Sequence, residues 1–139
     1  MNKKTFRTTK SLIIEDFHAW CVWKNIPKNT YGFIKLCYLY PEYVKLIDYR
    51  IKCCKKRLLH LARIFTHFYT KHLNLYFTCK DLGGGLIIQH GFSSIINCER
   101  MGHHCWINQQ VTVGRGNSGR PSFGNYVKIR CGAIVLGGG

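Results

Sequence analysis

No stretch of this sequence approaches the roughly 18–20 uninterrupted apolar residues that a membrane-spanning helix requires, so no spanning helix is expected. The eight cysteines include no Cys-x-x-Cys pair, which argues against a zinc ribbon. The basic opening, residues 1–10, leads into no apolar core with a small-residue cleavage site, and no signal peptide is read. Reduced, mostly buried cysteines in a cytoplasmic protein are therefore expected. Acids are scarce: six Asp and Glu stand against 21 Lys and Arg, for a net charge of +15. The glycine-rich run Leu82-Gly-Gly-Gly-Leu86 lacks the Lys-Ser/Thr ending of a phosphate loop, and its glycines suit the tight corners of a coil instead. No nucleic-acid recognition motif accompanies the charge, so no nucleic acid is expected as a partner.

What is present is unevenly spread. Residues 1–80 hold 16 Lys and Arg and four acids, whereas residues 81–139 hold five and two. The densest basic run is Arg50-Ile-Lys52-Cys-Cys-Lys55-Lys56-Arg57. Such a front end suits anionic lipid, although a charge run is more often a solvated helix face. Ile26-Pro-Lys-Asn-Thr30 reads as a turn, and residues 31–40 as a short aromatic helix. Pro41 can open a further helix. From there Val44, Ile47, Ile51, Cys54, Leu58, Leu61, Phe65 and Phe68 form one amphipathic stripe. The spacing predicts a single helix to about residue 72 that packs through this face.

After Asn74 the period changes: Leu75-Tyr-Phe-Thr78 looks extended and leads into Asp81. A hydrophobic residue returns about every six positions, each followed by small or polar residues: Leu82-Gly-Gly-Gly-Leu86, Ile88-Gln-His-Gly-Phe92, Met101-Gly-His-His-Cys105, Ile107-Asn-Gln-Gln-Val111, Phe123-Gly-Asn-Tyr-Val127, Ile129-Arg-Cys-Gly-Ala133. This rhythm describes a left-handed parallel β-helix with three faces per turn. The fold class expected is mainly β with a helical N-terminal part: a basic helical region over 1–80 and the hexad coil over 81–139, incomplete at its C-terminal end. Coil one uses Leu82, Ile88 and Ile95; coil two Met101, Ile107 and Val113; coil three Phe123, Ile129 and Val135. His90, Gln109 and Cys131 should then stack on one face, with Phe92, Val111 and Ala133 inside. Residues 115–121, glycine-rich with two arginines, should be extruded as a loop.

These residues resemble the serine O-acetyltransferase family of hexapeptide acyltransferases, including relatives that acetylate sugars. The resemblance is carried by Gly85-Leu-Ile-Ile-Gln-His90-Gly91, Trp106-Ile-Asn-Gln-Gln-Val-Thr-Val-Gly114 and Phe123-Gly-Asn-Tyr-Val-Lys-Ile-Arg-Cys-Gly-Ala-Ile-Val-Leu-Gly137. It implies acetyl-CoA as co-substrate, no permanently bound cofactor, no metal, a hydroxyl acceptor and a homotrimer with the site between neighbouring subunits. His90 would be the general base, because an alcohol needs its proton removed and an imidazole does this near neutral pH. Gln89, Asn108, Gln109 and Arg120 would line the acceptor site, and Thr112, Gly132 and Ala133 the acetyl-CoA site. This chain departs from the serine enzymes at three places. Gln89 replaces the aspartate before the histidine, Arg120 replaces a loop histidine, and the position of the orienting carboxylate falls near Leu75. The departures shift the expected acceptor toward a sugar hydroxyl or another alcohol, and leave as the alternative a non-catalytic member of the family that docks through its basic helix. His90, His103 and His104 are badly spaced to converge on a metal, and the last two read as surface residues at a coil corner.

Overall fold

The computed structural model describes residues 9–54 and 57–138, the side chains of residues 57–59 excepted. The basic opening before Thr9, and Lys55 and Lys56 of the basic run, lie outside the described residues, as do the side chains of Arg57 and Leu58. Four helices come first: α1 (Thr9–Lys24), α2 (Thr30–Leu39), α3 (Pro41–Lys52) and α4 (Arg57–Thr70). Asn29 caps α2 by accepting the Gly32 N–H at 2.9 Å, and Pro41 opens α3 as expected. A 3-10 turn, Lys71–Leu73, then leads into the strands.

The single helix expected over residues 41–72 is two. Cys53 ends α3, and α4 returns alongside it as a hairpin, with Asp48 of α3 accepting from Arg63 at 3.0 Å and from the Thr66 hydroxyl at 2.8 Å. The apolar stripe could not reveal this break, because its spacing runs through the turn without interruption.

The strands are β1 (Leu75–Phe77), β2 (Asp81–Leu82), β3 (Ile87–Ile88), β4 (Ser94–Ile96), β5 (Arg100–Met101), β6 (Trp106–Ile107), β7 (Thr112–Gly114), β8 (Ser122–Phe123), β9 (Lys128–Ile129) and β10 (Ile134–Leu136). All pair in parallel, in three sheets ordered β1-β4-β7-β10, β2-β5-β8 and β3-β6-β9. These sheets, here called faces A, B and C, form a parallel β-helix of about three turns. It begins at Leu75, six residues before the expected boundary.

Two registers match the hexads: Leu82 on Met101 on Phe123, and Ile88 on Ile107 on Ile129. The third differs. Ile96, not Ile95, pairs with Val113, with Phe77 before it and Val135 after. Ile96 is fully buried, whereas Ile95 is 48% exposed on the outside. The chain therefore takes eight residues from Ile88 to Ile96, against six from Ile107 to Val113.

The helices pack on the first coil. Leu36, Tyr43 and Leu46 join Leu73, Leu75 and Phe77 in one core that runs on to Ile88, Ile107 and Val113. A buried ion pair fixes the junction. Arg50 of α3 donates to both carboxylate oxygens of Asp16 in α1, at 2.8 and 3.2 Å, and to the carbonyls of Leu82 and Gly83, both at 2.6 Å. Asp16 also accepts the N–H groups of Gly85 and Leu86 at 2.7 and 3.2 Å. Burial pushes the Asp16 carboxyl pKa up, while Arg50 and the two N–H groups oppose it. Gly85 sits at φ +75, which presents its N–H to Asp16 in a left-handed turn. The glycine run thus also admits α1 to the coil: Gly84 lies against Glu15, leaving no room for a Cβ.

The cysteines depart from the expectation. Cys79 and Cys98, stacked one coil apart, form a disulfide. Cys21 and Cys105 are buried as free thiols, but Cys53 and Cys131 are exposed.

Candidate functional site

The two extra residues between Ile88 and Ile96 are His90 and Gly91. Before them the ladder is in step, since the Gln89 N–H donates to Ile107 O and the Asn108 N–H to Ile129 O. After them it is in step again. The Gln110 N–H donates to Phe92 O and the Gly132 N–H to Gln109 O, which aligns Ser93, Gln110 and Gly132 as the left-handed corner residues of successive coils, at φ +53, +56 and +73. His90 is a further left-handed residue, at φ +53, outside this series. The Phe92 N–H closes a tight turn onto the His90 carbonyl at 2.7 Å. The expected stack of His90, Gln109 and Cys131 is therefore replaced by Phe92, Gln109 and Cys131. Phe92 lies outside rather than inside, and buried Ser94 takes the inward position below Val111.

The insertion thrusts His90 outward at the corner between faces C and A. Its imidazole is exposed and makes no hydrogen bond among the described residues. Gly91 is buried beneath it, packed so that a Cβ would run into Ile88 and lie 3.2 Å from Leu75 Cδ2. The same Cβ would lie 3.8 Å from Glu42 Cγ. Glu42, in the first turn of α3, thus packs its side-chain stem beside Gly91. Lys24 stands near it, with its ammonium 3.5 Å over the Trp23 ring and 4.5 Å over Tyr40. Burial lowers the Lys24 pKa, and Glu42 opposes that shift. Asp81, the acid nearest in sequence, is elsewhere, on face B, 3.7 Å from Arg100.

The other predicted site residues fall into two groups. Gln89 and Asn108 are adjacent rungs on face C. Gln89 Oε1 accepts from Trp106 Nε1 and from Asn108 Nδ2, both at 3.2 Å. With that oxygen taken up, Gln89 can offer only its amide N–H groups to a ligand. Asn108 Oδ1 is buried without a hydrogen-bond partner among the described residues. Gln109, Gly132 and Ala133 lie at the His90 corner in later coils, and Thr112 begins the next strand of face A, its N–H donating to Ala133 O at 2.9 Å. Arg120 is not with them. It lies at the opposite edge of face A, in the extruded loop between β7 and β8. That loop folds back through paired hydrogen bonds between Gly116 and Gly119, and the Ser118 hydroxyl donates to Gly138 O at 2.7 Å.

His103 and His104 are more than surface residues. His103 Nδ1 lies 2.9 Å from Glu15 Oε1 and His104 Nε2 3.4 Å from it, tying α1 to the corner between faces B and C. His104 stacks on Tyr126 at 5.5 Å. A motif search passes over this contact and over Glu42, because each joins residues far apart in the chain.

Among the described residues, no helix is long and apolar enough to cross a membrane, and no group of three or more His, Cys, Asp or Glu is placed to hold a metal ion.

The architecture has a counterpart among solved structures. It is similar to the crystal structure of serine acetyltransferase isoform 3 in complex with cysteine from Entamoeba histolytica, with a TM-score of 0.62 and 21% sequence identity. The chain shares that protein's fold. The match covers 94% of this chain and 49% of that one, so this chain spans about half its length. No protein-family model and no curated protein sequence matches. The fold is accordingly that of a hexapeptide-repeat, serine O-acetyltransferase-like protein.

Proposed function

We propose that this chain is an acetyl-CoA-dependent O-acetyltransferase in which His90 acts as the general base. The observation that carries the reading is the two-residue insertion that lifts an exposed imidazole out of an otherwise regular ladder. A left-handed non-glycine residue added to a corner that already has its own turn residue costs free energy and gives the coil nothing in return. His90 would take the proton of the acceptor hydroxyl as its oxygen attacks the thioester carbonyl, and CoA leaves as the thiol. The Gln109 side chain, one coil on, is the amide available to the developing oxyanion, and Thr112, Gly132 and Ala133 offer the surface beside it for the CoA arm.

The outward ladder of face A supports a site shared between copies. Tyr76, Ile95 and Ile134 are exposed apolar residues in register with Thr112. His90 lies at one edge of this face and Arg120 at the other, so packing face A into a trimer interface would let one subunit's Arg120 approach its neighbour's His90. The acceptor is a hydroxyl of serine or of a sugar. A sugar is favoured by Gln89, whose committed oxygen leaves only donors where an ammonium would need an acceptor.

The test is release of CoA thiol from acetyl-CoA, with serine and with a panel of sugars as acceptors. His90→Ala should lower the rate by roughly 10²–10⁴-fold with an unchanged melting temperature. Full acetyl transfer by that variant would overturn the reading.

A further inference from the structure

Helix α4 is docked with its apolar side out. Leu61, Ile64, Phe65 and Phe68, at the i, i+3, i+4, i+7 spacing of one helix face, are 61%, 55%, 78% and 72% exposed. The opposite side carries the contacts to the rest of the molecule. Arg63 and Thr66 bond Asp48 of α3, and Thr70 is buried. Tyr69 holds α4 against α2 by donating to Tyr38 O at 2.9 Å. Beside the stripe, Phe33, Tyr38, Ile47 and Phe65 line an open apolar groove of about 400 Å³, and Ile34 and Tyr38 of α2 extend the exposed apolar surface. An amphipathic helix that buries its polar side and presents aromatics to water needs a partner.

Charge identifies that partner. No acid occurs between Asp48 and Asp81, while Arg50, Lys52, Lys55, Lys56, Arg57, Arg63, Lys71 and Lys80 all fall there. The acids elsewhere in the helical region are already engaged: Glu15 with His103, Asp16 with Arg50, Asp48 with Arg63, and Glu42 facing Lys24. Of these cations Arg50, Arg63 and Lys80 are paired, with Asp16, Asp48 and Glu99, whereas Lys52 and Lys71 have no carboxylate partner among the described residues. A second copy of this chain would bring the same acid-free stretch to the interface and meet it with like charge.

We propose that the α4 face is a docking surface for an anionic lipid bilayer. Leu61, Ile64, Phe65 and Phe68 enter the acyl boundary, and Lys52 and Lys71, both exposed at the ends of the hairpin, meet the headgroups. Each part contributes a separable dependence. The aromatics require a bilayer of any charge, and the lysines make binding sensitive to anionic lipid and to salt.

Co-sedimentation of the full chain with vesicles tests this. The expected result is binding to phosphatidylcholine mixed with phosphatidylserine, much weaker binding to phosphatidylcholine alone, and loss in high salt. Phe65→Ser with Phe68→Ser should weaken binding by at least roughly tenfold at unchanged melting temperature, since both side chains are already in water. Lys52→Glu with Lys71→Glu should remove the preference for phosphatidylserine. Failure of the wild type to bind phosphatidylserine vesicles would overturn the proposal. So would binding indifferent to the phenylalanine pair, or a change of oligomeric state on their replacement without any vesicle binding.

Discussion

At the scale of single residues, Asp16 and Arg50 do most to join the two halves of the chain. Asp16 accepts four hydrogen bonds from three residues, all inside the protein: two from Arg50 of α3 and one each from the adjacent Gly85 and Leu86 N–H groups. Replacing it with alanine would leave the Arg50 charge buried without its partner and the Gly85 and Leu86 N–H groups unsatisfied. Asp16→Ala should therefore destabilise the protein by about 3–5 kcal/mol, read as a fall in the denaturant midpoint. A loss below about 1 kcal/mol, the range of exposed ion pairs, would refute this role. Sequence reading does not single out either residue. Asp16 is marked only by sharing a helix face with Trp20, four positions on and equally buried, and an acid on an apolar face finds its meaning only when its cation arrives from another helix. His90 is the contrary case. Its motif is local and legible, yet its displacement from the ladder is not.

At the scale of elements, the hexad rhythm locates the strands but not every inward residue. Ile95 and Ile96 are adjacent and chemically identical, and the rhythm alone chooses the wrong one. The extra residues can be absorbed anywhere in the corner, and the side chain that points inward depends on where the ladder resumes. Truncation separates the two. Ile96→Ala should cost about 2–5 kcal/mol as a core cavity, and Ile95→Ala much less, because nearly half of that residue is already exposed. Equal losses in thermal or chemical unfolding would restore the original phasing. The helical hairpin fails from sequence for a related reason. The periodicity of α3 and α4 is continuous across the turn, and the side on which α4 docks is set by Asp48 rather than by the apolar stripe.

At the scale of the whole molecule, the helices and the coil share one core. Trp20 Nε1 donates to Leu86 O at 2.9 Å, Tyr49 bonds the Cys79 carbonyl, and the Tyr49 ring packs on Phe77 at 5.5 Å. The helical signal in the far ultraviolet and the fluorescence of Trp106, which lies on the coil, should therefore report a single coincident unfolding transition. Two separated transitions would show that the halves fold independently. Sequence by itself determined the parallel β-helix, a helical region before it and the extruded loop, because each is written in local periodicity or local composition. Tertiary structure alone decided the register at Ile96, the outward apolar face of α4, the Asp16–Arg50 junction and the approach of Glu42 to the His90 corner. Those depend on contacts between residues distant in the chain, where a buried polar group takes whichever partner the packing brings to it.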